Sequence, residues 1–227
     1  MLNVGTDRST ERAVQDYVKA IYQLGESGAP VRAVDVAKHF DVSRSSVSQF
    51  KPVLRKRGFL GAAKPGSSAL DLTASGRELA VRMVRRHRIL ETFLYTTLGV
   101  PLERVHPEAE RLEHAVSDDL VERIASLIGR PAADPHGHPI PYGATVASTW
   151  DEPLTGVPGG CDIVVTQIAD HDAAVVKELV ALGVLPGLRA TVVRRAGRLR
   201  LFADARGRAL SPALAASVRC RIVDGAQ

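Results

Sequence analysis

The stretch VRAVDVAKHFDVSRSSVSQFKPVLRKRG, from Val31 to Gly58, holds two short helical patterns with almost nothing between them. VRAVDVAKHF reads as one helix, DVS as a tight turn, and SRSSVSQFKPVLRKRG as a second helix stopped by Gly58. Two helices joined so closely predict a helix-turn-helix, with the second helix entering the major groove of DNA. The charge agrees with this. From Ser43 to Gly66 the chain carries Arg44, Lys51, Arg55, Lys56, Arg57 and Lys64 and no acid, a concentration that suits a phosphate backbone. A basic run is most often only a solvated face, so charge alone does not decide the matter.

Upstream, STERAVQDYVKAIYQLGESG repeats apolar residues at Val14, Tyr17, Val18, Ile21 and Leu24, a helical period with Ser9 or Thr10 as cap and Gly25 as stop. Downstream, FLGAAKPGSSALDLT predicts two short strands around a Lys64-Pro65-Gly66-Ser67 turn, a wing on the helical unit. A long helix follows from about Ser75 to Leu98, then a GVP break, then a helix from about His106 to Ile128. Gly129 to Gly160 is rich in proline and glycine and reads as a linker, with Trp150 as a packing residue. Beyond it, CDIVVTQI, RATVVRR, RLRLFAD and SVRCRIV are short strand-like runs, with AAVVKELVALG as a helix between the first two. This pattern predicts a small β-barrel.

The 227 residues leave room for one large or two to three small domains with ordinary cores, at 45% hydrophobic content. The charged N-terminus and the lack of a long apolar run predict a cytoplasmic protein with no membrane partner. Cys161 and Cys220 are the only cysteines, too far apart for a zinc-ribbon pattern.

The segment HPEAERLEHAVSDD, beginning at His106, concentrates ligand chemistry. On a helical wheel Ala109, Leu112, Val116 and Leu120 form an apolar stripe, and His106, Glu110, Glu113 and His114 fall beside it. Carboxylates half-withdrawn from water need compensating charge, and a divalent cation supplies it. RRHRILETF adds His87 and Glu91 on one face of the preceding helix. The plain alternative is local capping and ion pairing on solvated helices.

Together SSVSQ, LTASGRELA, RRHRILETFL, VHPEAERLEHAVSDDLVERI and PHGHPIP resemble the diphtheria-toxin-repressor family of metal-dependent transcriptional regulators, over nearly the whole chain. The resemblance implies a mainly α fold with a small β part. Residues 1–74 would form a winged helix-turn-helix DNA-binding domain, 75–147 a helical dimerisation and metal-binding domain, and 148–227 an SH3-like (FeoA-like) β-barrel. It places a primary metal site on Asp16, Glu110, Glu113 and His114. It places an ancillary site on His87, Glu91 and His106, completed by Asp170 or His171 from QIADHDAAV. Linker histidines such as His136 and His138 are more often structural and stay outside this assignment.

Iron-type members carry methionine and cysteine where this chain has Asp16 and Glu110, and hard oxygen in place of sulfur favours manganese. Iron, cobalt and zinc remain able to bind in vitro. Lys19 stands where shorter manganese-type members have a carboxylate, which implies two separated sites rather than a close metal pair.

For DNA the resemblance points to Ser43, Arg44, Ser45, Ser46, Ser48 and Gln49, with Arg55 and Lys64 on phosphates. Pro52 removes a helical N–H within that helix. The expected activity is that of a manganese-dependent repressor, a homodimer on a palindromic double-stranded operator. An iron-dependent regulator of the same family is the nearest alternative. A metal-dependent hydrolase is the more distant one, because it leaves the winged helix unexplained.

Overall fold

A computed structural model of the chain describes residues 4–26, 28–62, 66–143, 151–195, 198–203 and 206–223. These divide into two compact units, Met1–His87 with Pro141–Val146, and Arg88–Ile140 with Ala147–Gln227. Among the described residues no helix is long and apolar enough to cross a membrane.

The first unit begins with α1 (Val4–Gly25), which starts several residues ahead of the expected Ser9 or Thr10 cap. Val14, Val18 and Ile21 recur at helical spacing on its buried side and meet Val36 and Ala37 of α2 (Ala33–His39) and Val47 and Leu54 of α3 (Arg44–Lys56). The Tyr17 ring packs against Phe40 at 5.0 Å and Phe50 at 4.4 Å, tying α1 to both arms of the helix-turn-helix. In the turn Asp41 takes φ 51, and the Ser43 hydroxyl accepts the Ser46 N–H at 3.0 Å to cap α3.

The wing is smaller than two strands. Single antiparallel bridges join Leu60 to Leu72 and Arg32 to Ala69, reinforced by Gly61 N–H to Asp71 O at 2.8 Å. Lys64 and Pro65 of the expected turn lie outside the described residues.

After the wing, LTASGRELA works as a joint. Thr73 Oγ1 and Ser75 Oγ both donate to Gly58 O, the carbonyl just past α3, and Thr73 Oγ1 accepts the Gly76 N–H at 3.0 Å to start α4 (Ala74–Thr96). A Cβ at Gly76 would lie 2.1 Å from Phe59 O, so the helix start and the end of the recognition helix touch backbone to backbone.

In the second unit the predicted single helix from His106 to Ile128 is two helices, α5 (Leu102–Leu112) and α6 (Asp118–Leu127). Ser117 ends the continuity, because its hydroxyl accepts the Leu120 N–H and opens α6 with Asp118 and Asp119 in the first turn. The expected apolar stripe divides accordingly: Ala109 is buried, whereas Leu112 and Leu120 are exposed.

The barrel comprises β1 (Glu152–Pro153), a 3-10 turn (Leu154–Gly156), β2 (Asp162–Ile168), α7 (Ala173–Leu182), β3 (Arg189–Arg195), β4 (Arg198–Ala203), β5 (Arg206–Leu210), α8 (Pro212–Ala216) and β6 (Val218–Val223). Its strands form one antiparallel sheet in the order β1-β6-β2-β3-β4-β5. Inward Ile163, Val165, Val192 and Leu201 join Ile89, Leu90, Val105 and Ala109 of the helices in one apolar core. The short elements β1, β5 and α8 were not expected from the sequence.

Much of the expected linker is ordered. Asp134 Oδ1 accepts the N–H groups of His136 and His138, Ala133 bridges Pro139, and Ile140 is buried. His136 O accepts the Ile168 N–H at 2.9 Å, which fastens this loop to β2. Gly137, at φ +91, is needed there: a Cβ would sit 1.9 Å from Thr166 O. Residues 144–150, including Trp150, lie outside the described residues.

The joint at Gly58 generates a prediction. Thr73→Ala should cost about 1 kcal/mol through loss of the cap. Gly76→Ala should cost more, although helix propensity alone favours alanine by about 1 kcal/mol. Urea unfolding checks this, and a Gly76→Ala protein more stable than wild type would contradict the backbone contact.

Candidate metal centre

Glu91 on α4 has no exposed surface, and His106 on α5 turns Nδ1 toward its Oε1 at 3.1 Å. The same nitrogen lies 3.7 Å from Asp170 Oδ2 in the loop between β2 and α7. One donor atom from each of Glu91, His106 and Asp170 falls within 4.8 Å of the others, a span that one cation could bridge. Glu110 stands four residues beyond His106, with Oε1 3.9 Å from His106 Nε2.

A second group meets the first. Asp134, His136 and His138 also bring donor atoms within 4.8 Å of one another. His136 Nδ1 is 3.9 Å from Glu91 Oε1, and His138 Nδ1 is 3.5 Å from Asp170 Oδ2. From sequence alone His136 and His138 are expected to be structural, and Asp134 carries no expected role. The signal available was the D-P-H-G-H spacing, in which a turn headed by aspartate brings alternate side chains to one side. Arg88 holds the far side of the loop, donating to Pro139 O at 2.7 Å with its Nε 3.8 Å from Asp134 Oδ2.

The electrostatics call for positive charge. Burial pushes the Asp170 carboxyl up, but His138 and His106 outweigh it and hold the group well below the usual carboxylate range. Burial likewise opposes charge on His138, yet Asp134 and Asp170 overcome it and push its pKa up to about 9. Both ring nitrogens of His136 are buried without a hydrogen-bond partner among the described residues. Buried carboxylates beside an imidazole with an unused lone pair are the donor set of a divalent cation. Cys220 does not compete, because burial, Glu152 and Asp151 push its thiol up to about 11 and keep it protonated.

The other expected ligands are placed as follows. Glu113 caps α5, its N–H on Ala109 O, and His114 Nε2 lies 3.5 Å from Glu113 Oε1. The helix therefore ends before His114, and the pair sits in the turn to α6 rather than on one helical face. Asp16 is on α1 of the first unit, and His87 is buried on α4 at that unit's last position. The His171 side chain is 68% exposed and among the described residues reaches only Asp170, at 3.9 Å, outside the clusters. The loop's capping role falls to Asp172, whose Oδ1 accepts the Ala174 and Val175 N–H groups.

Of the expected DNA residues, Arg44, Ser45, Ser46, Ser48 and Gln49 are exposed along α3. Ser43 is occupied as the cap, with Oγ 2.8 Å from Ser46 Oγ. Arg55 donates to Gly61 O at 3.2 Å and so ties α3 to the wing. Pro52 lies inside α3 without ending it.

Comparison with known proteins identifies the domains in this chain. Residues 9–66 match the model of the iron dependent repressor N-terminal DNA binding domain, 73–142 that of its metal binding and dimerisation domain, and 152–222 the FeoA domain. The iron-dependent repressor IdeR of Mycobacterium tuberculosis (strain ATCC 25618 / H37Rv) is 35% identical over 190 residues, covering 78% of this chain and 81% of that protein. The diphtheria toxin repressor of Corynebacterium efficiens is 30% identical over 221 residues, 92% of this chain and 95% of the relative. Among solved structures, a manganese-dependent transcriptional repressor in complex with manganese aligns with TM-score 0.84 and 34% identity, over 92% of this chain and 100% of that one. The manganese regulator SloR aligns with TM-score 0.76 and 26% identity, over 92% and 98%. Winged helix, metal-binding dimerisation segment and FeoA barrel thus follow one another in a single chain, and the chain belongs to the iron-dependent repressor family of metal-dependent, DNA-binding transcriptional repressors, which are regulators and not enzymes.

Proposed function

We propose that the chain is a manganese-responsive repressor that acts as a homodimer on a palindromic operator. The observation that carries the metal preference is the donor chemistry: Glu91, His106, Asp170, Asp134, His136, Glu110, Glu113 and His114 offer only oxygen and imidazole nitrogen. Hard oxygen donors favour manganese, and soft sulfur donors would move the preference toward other metals. The iron-dependent names of its relatives support the runner-up reading, an iron sensor that tolerates oxygen ligands.

Two ligand sets divide the work in this reading. Glu110, Glu113 and His114, joined by Asp16, form the primary set. Glu91, His106 and Asp170 form the ancillary set with His136 in reach and His87 as a further donor. When bound, a divalent cation supplies positive charge that lets carboxylates from separate elements approach one another.

Asp16 belongs to α1, packed against the helix-turn-helix, and Glu110, Glu113 and His114 belong to the dimerisation segment. Their shared ligation restrains the recognition helices and so spares part of the ordering cost when half-sites about one DNA turn apart are engaged. Metal and operator then favour the same state, and each tightens binding of the other equally.

On DNA, Arg44 and Gln49 are the base-reading residues, Gln49 suited to adenine and Arg44 to guanine or phosphate. Ser45, Ser46 and Ser48 contact the backbone or thymine methyls, Ser43 holds the helix start in register, and Arg55 and Lys64 serve phosphates. Leu120 and Leu127 stand seven residues apart on one side of α6, 47% and 71% exposed, and supply an apolar stripe for the dimer contact.

Asp16→Ala tests the primary set. Manganese should raise wild-type operator affinity by about 5- to 150-fold, the range of typical couplings. It should leave the variant's affinity unchanged while the dimer stays folded; undiminished stimulation in a gel-shift titration would refute the assignment. Glu110→Cys tests the metal preference: activation by iron or cobalt should rise relative to manganese in the same assay, and an unaltered ranking would contradict the assignment of that preference to donor softness.

A further inference from the structure

Residues 189–223 contain nine arginines and a single acid, Asp204. Several of the arginines are structural. Arg194 donates to the carbonyls of Leu154, Thr155 and Val157, Arg208 to those of Leu182 and Ala203, and Arg221 pairs with Asp151. Arg195, Arg198 and Arg200 differ. All three are exposed, and among the described residues their side chains make no hydrogen bond or ion pair.

The sheet register gathers them on one face. Arg195 stands opposite Arg198, Val193 opposite Arg200, and Thr191 opposite Phe202, while Leu199, Leu201 and Ala203 alternate into the core. Like charges directly opposite one another destabilise a strand pair, so the face carries a cost that an anion would relieve. Phe202 on the same face is 38% exposed. Its ring lies against Gly207, where a Cβ would come within 2.9 Å of ring atoms. Between this face and α8 runs a groove of about 940 Å³ whose lining includes Val193, Phe202, Ala209, Pro212 and Ala215 together with the three arginines and Arg194. Strand β5 beside it is the last of the sheet, with one edge pairing no other strand among the described residues.

We propose that this groove binds an acidic peptide segment of a partner protein, with carboxylates on Arg195, Arg198 and Arg200 and apolar side chains on Phe202 and the groove lining. Arg198 and Arg200 repeat at about 6.8 Å, the spacing of alternate residues in an extended strand, so a peptide with every second residue acidic matches them in register. Planar guanidinium groups receive carboxylates in a bidentate fork, and clustered arginines are a recurring means of recognising acidic motifs. Duplex DNA fits less well, because its convex backbone would meet the charged rim and leave the apolar lining uncovered. The inference is independent of the metal and operator readings.

Fluorescence anisotropy of the full chain with a labelled decapeptide alternating Glu and Val tests it. Saturable binding is expected, absent for the Gln-for-Glu counterpart. Binding should be weakened about tenfold or more by Arg195→Ala, Arg198→Ala and Arg200→Ala together, a loss expected when charges leave a recognition rim. These side chains are exposed, so the fold is retained, and manganese-stimulated operator binding should be unchanged. Arg198→Glu with Arg200→Glu should weaken peptide binding further. Failure of wild type to bind the Glu-Val peptide, or equal binding by wild type and variants, would overturn the proposal. So would a lower salt slope of duplex binding in the triple variant without change in peptide affinity, which would assign the face to nucleic acid.

Discussion

Three carboxylates, Glu91, Asp134 and Asp170, lie withdrawn from water in the second unit, and each comes from a different piece of chain: α4, the loop before the barrel, and the loop after β2. Such groups repel one another unless positive charge lies among them, and the protein supplies it with Arg88 and His138. The surrounding architecture keeps this arrangement in place. The 134–140 loop is held on β2 through the His136 carbonyl and by the absence of a side chain at Gly137, and α5 shares its apolar core with the barrel. A divalent cation would take the place of the imidazole proton among these carboxylates, and the oxygen and nitrogen donors gathered here fit it.

The helix-turn-helix is built on different terms. Its core is apolar and local, running from Val14 through Val36 and Val47 to Leu54, and its links to α4 are short hydrogen bonds at Gly58. Arg44 and Gln49 lie exposed along α3, while Ser43 caps its start and Arg55 ties it to Gly61. Rigid support beneath an exposed reading face suits a domain whose output depends on where its recognition helix is held.

How much of this was legible beforehand varied with the range of the interactions. The helix-turn-helix was readable because its period, turn and cap are local, as with Val47, Leu54 and Ser43. The α5–α6 break was missed because Val116 and Leu120 continue the apolar period across it, although Ser117 followed by two aspartates is itself a helix-start pattern. The 129–143 segment read as a linker because proline and glycine dominate its composition. Its order comes from Asp134 binding backbone amides and from contact with β2, which is nonlocal. For the same reason His136 went unassigned: nothing near it in sequence announces Glu91, forty-five residues away. Strand β5, short and rich in arginine and glycine, owes its place to pairing with β4 rather than to any apolar period.

The central claim is that manganese occupies two separated ligand sets in each chain. Anomalous scattering recorded at the manganese edge from manganese-soaked crystals of the full chain tests it directly. The account predicts two peaks per chain, one among Glu91, His106, Asp170 and His136 and the other at Glu110, Glu113, His114 and Asp16. No peak at either set, or a peak confined to surface residues elsewhere, would contradict it.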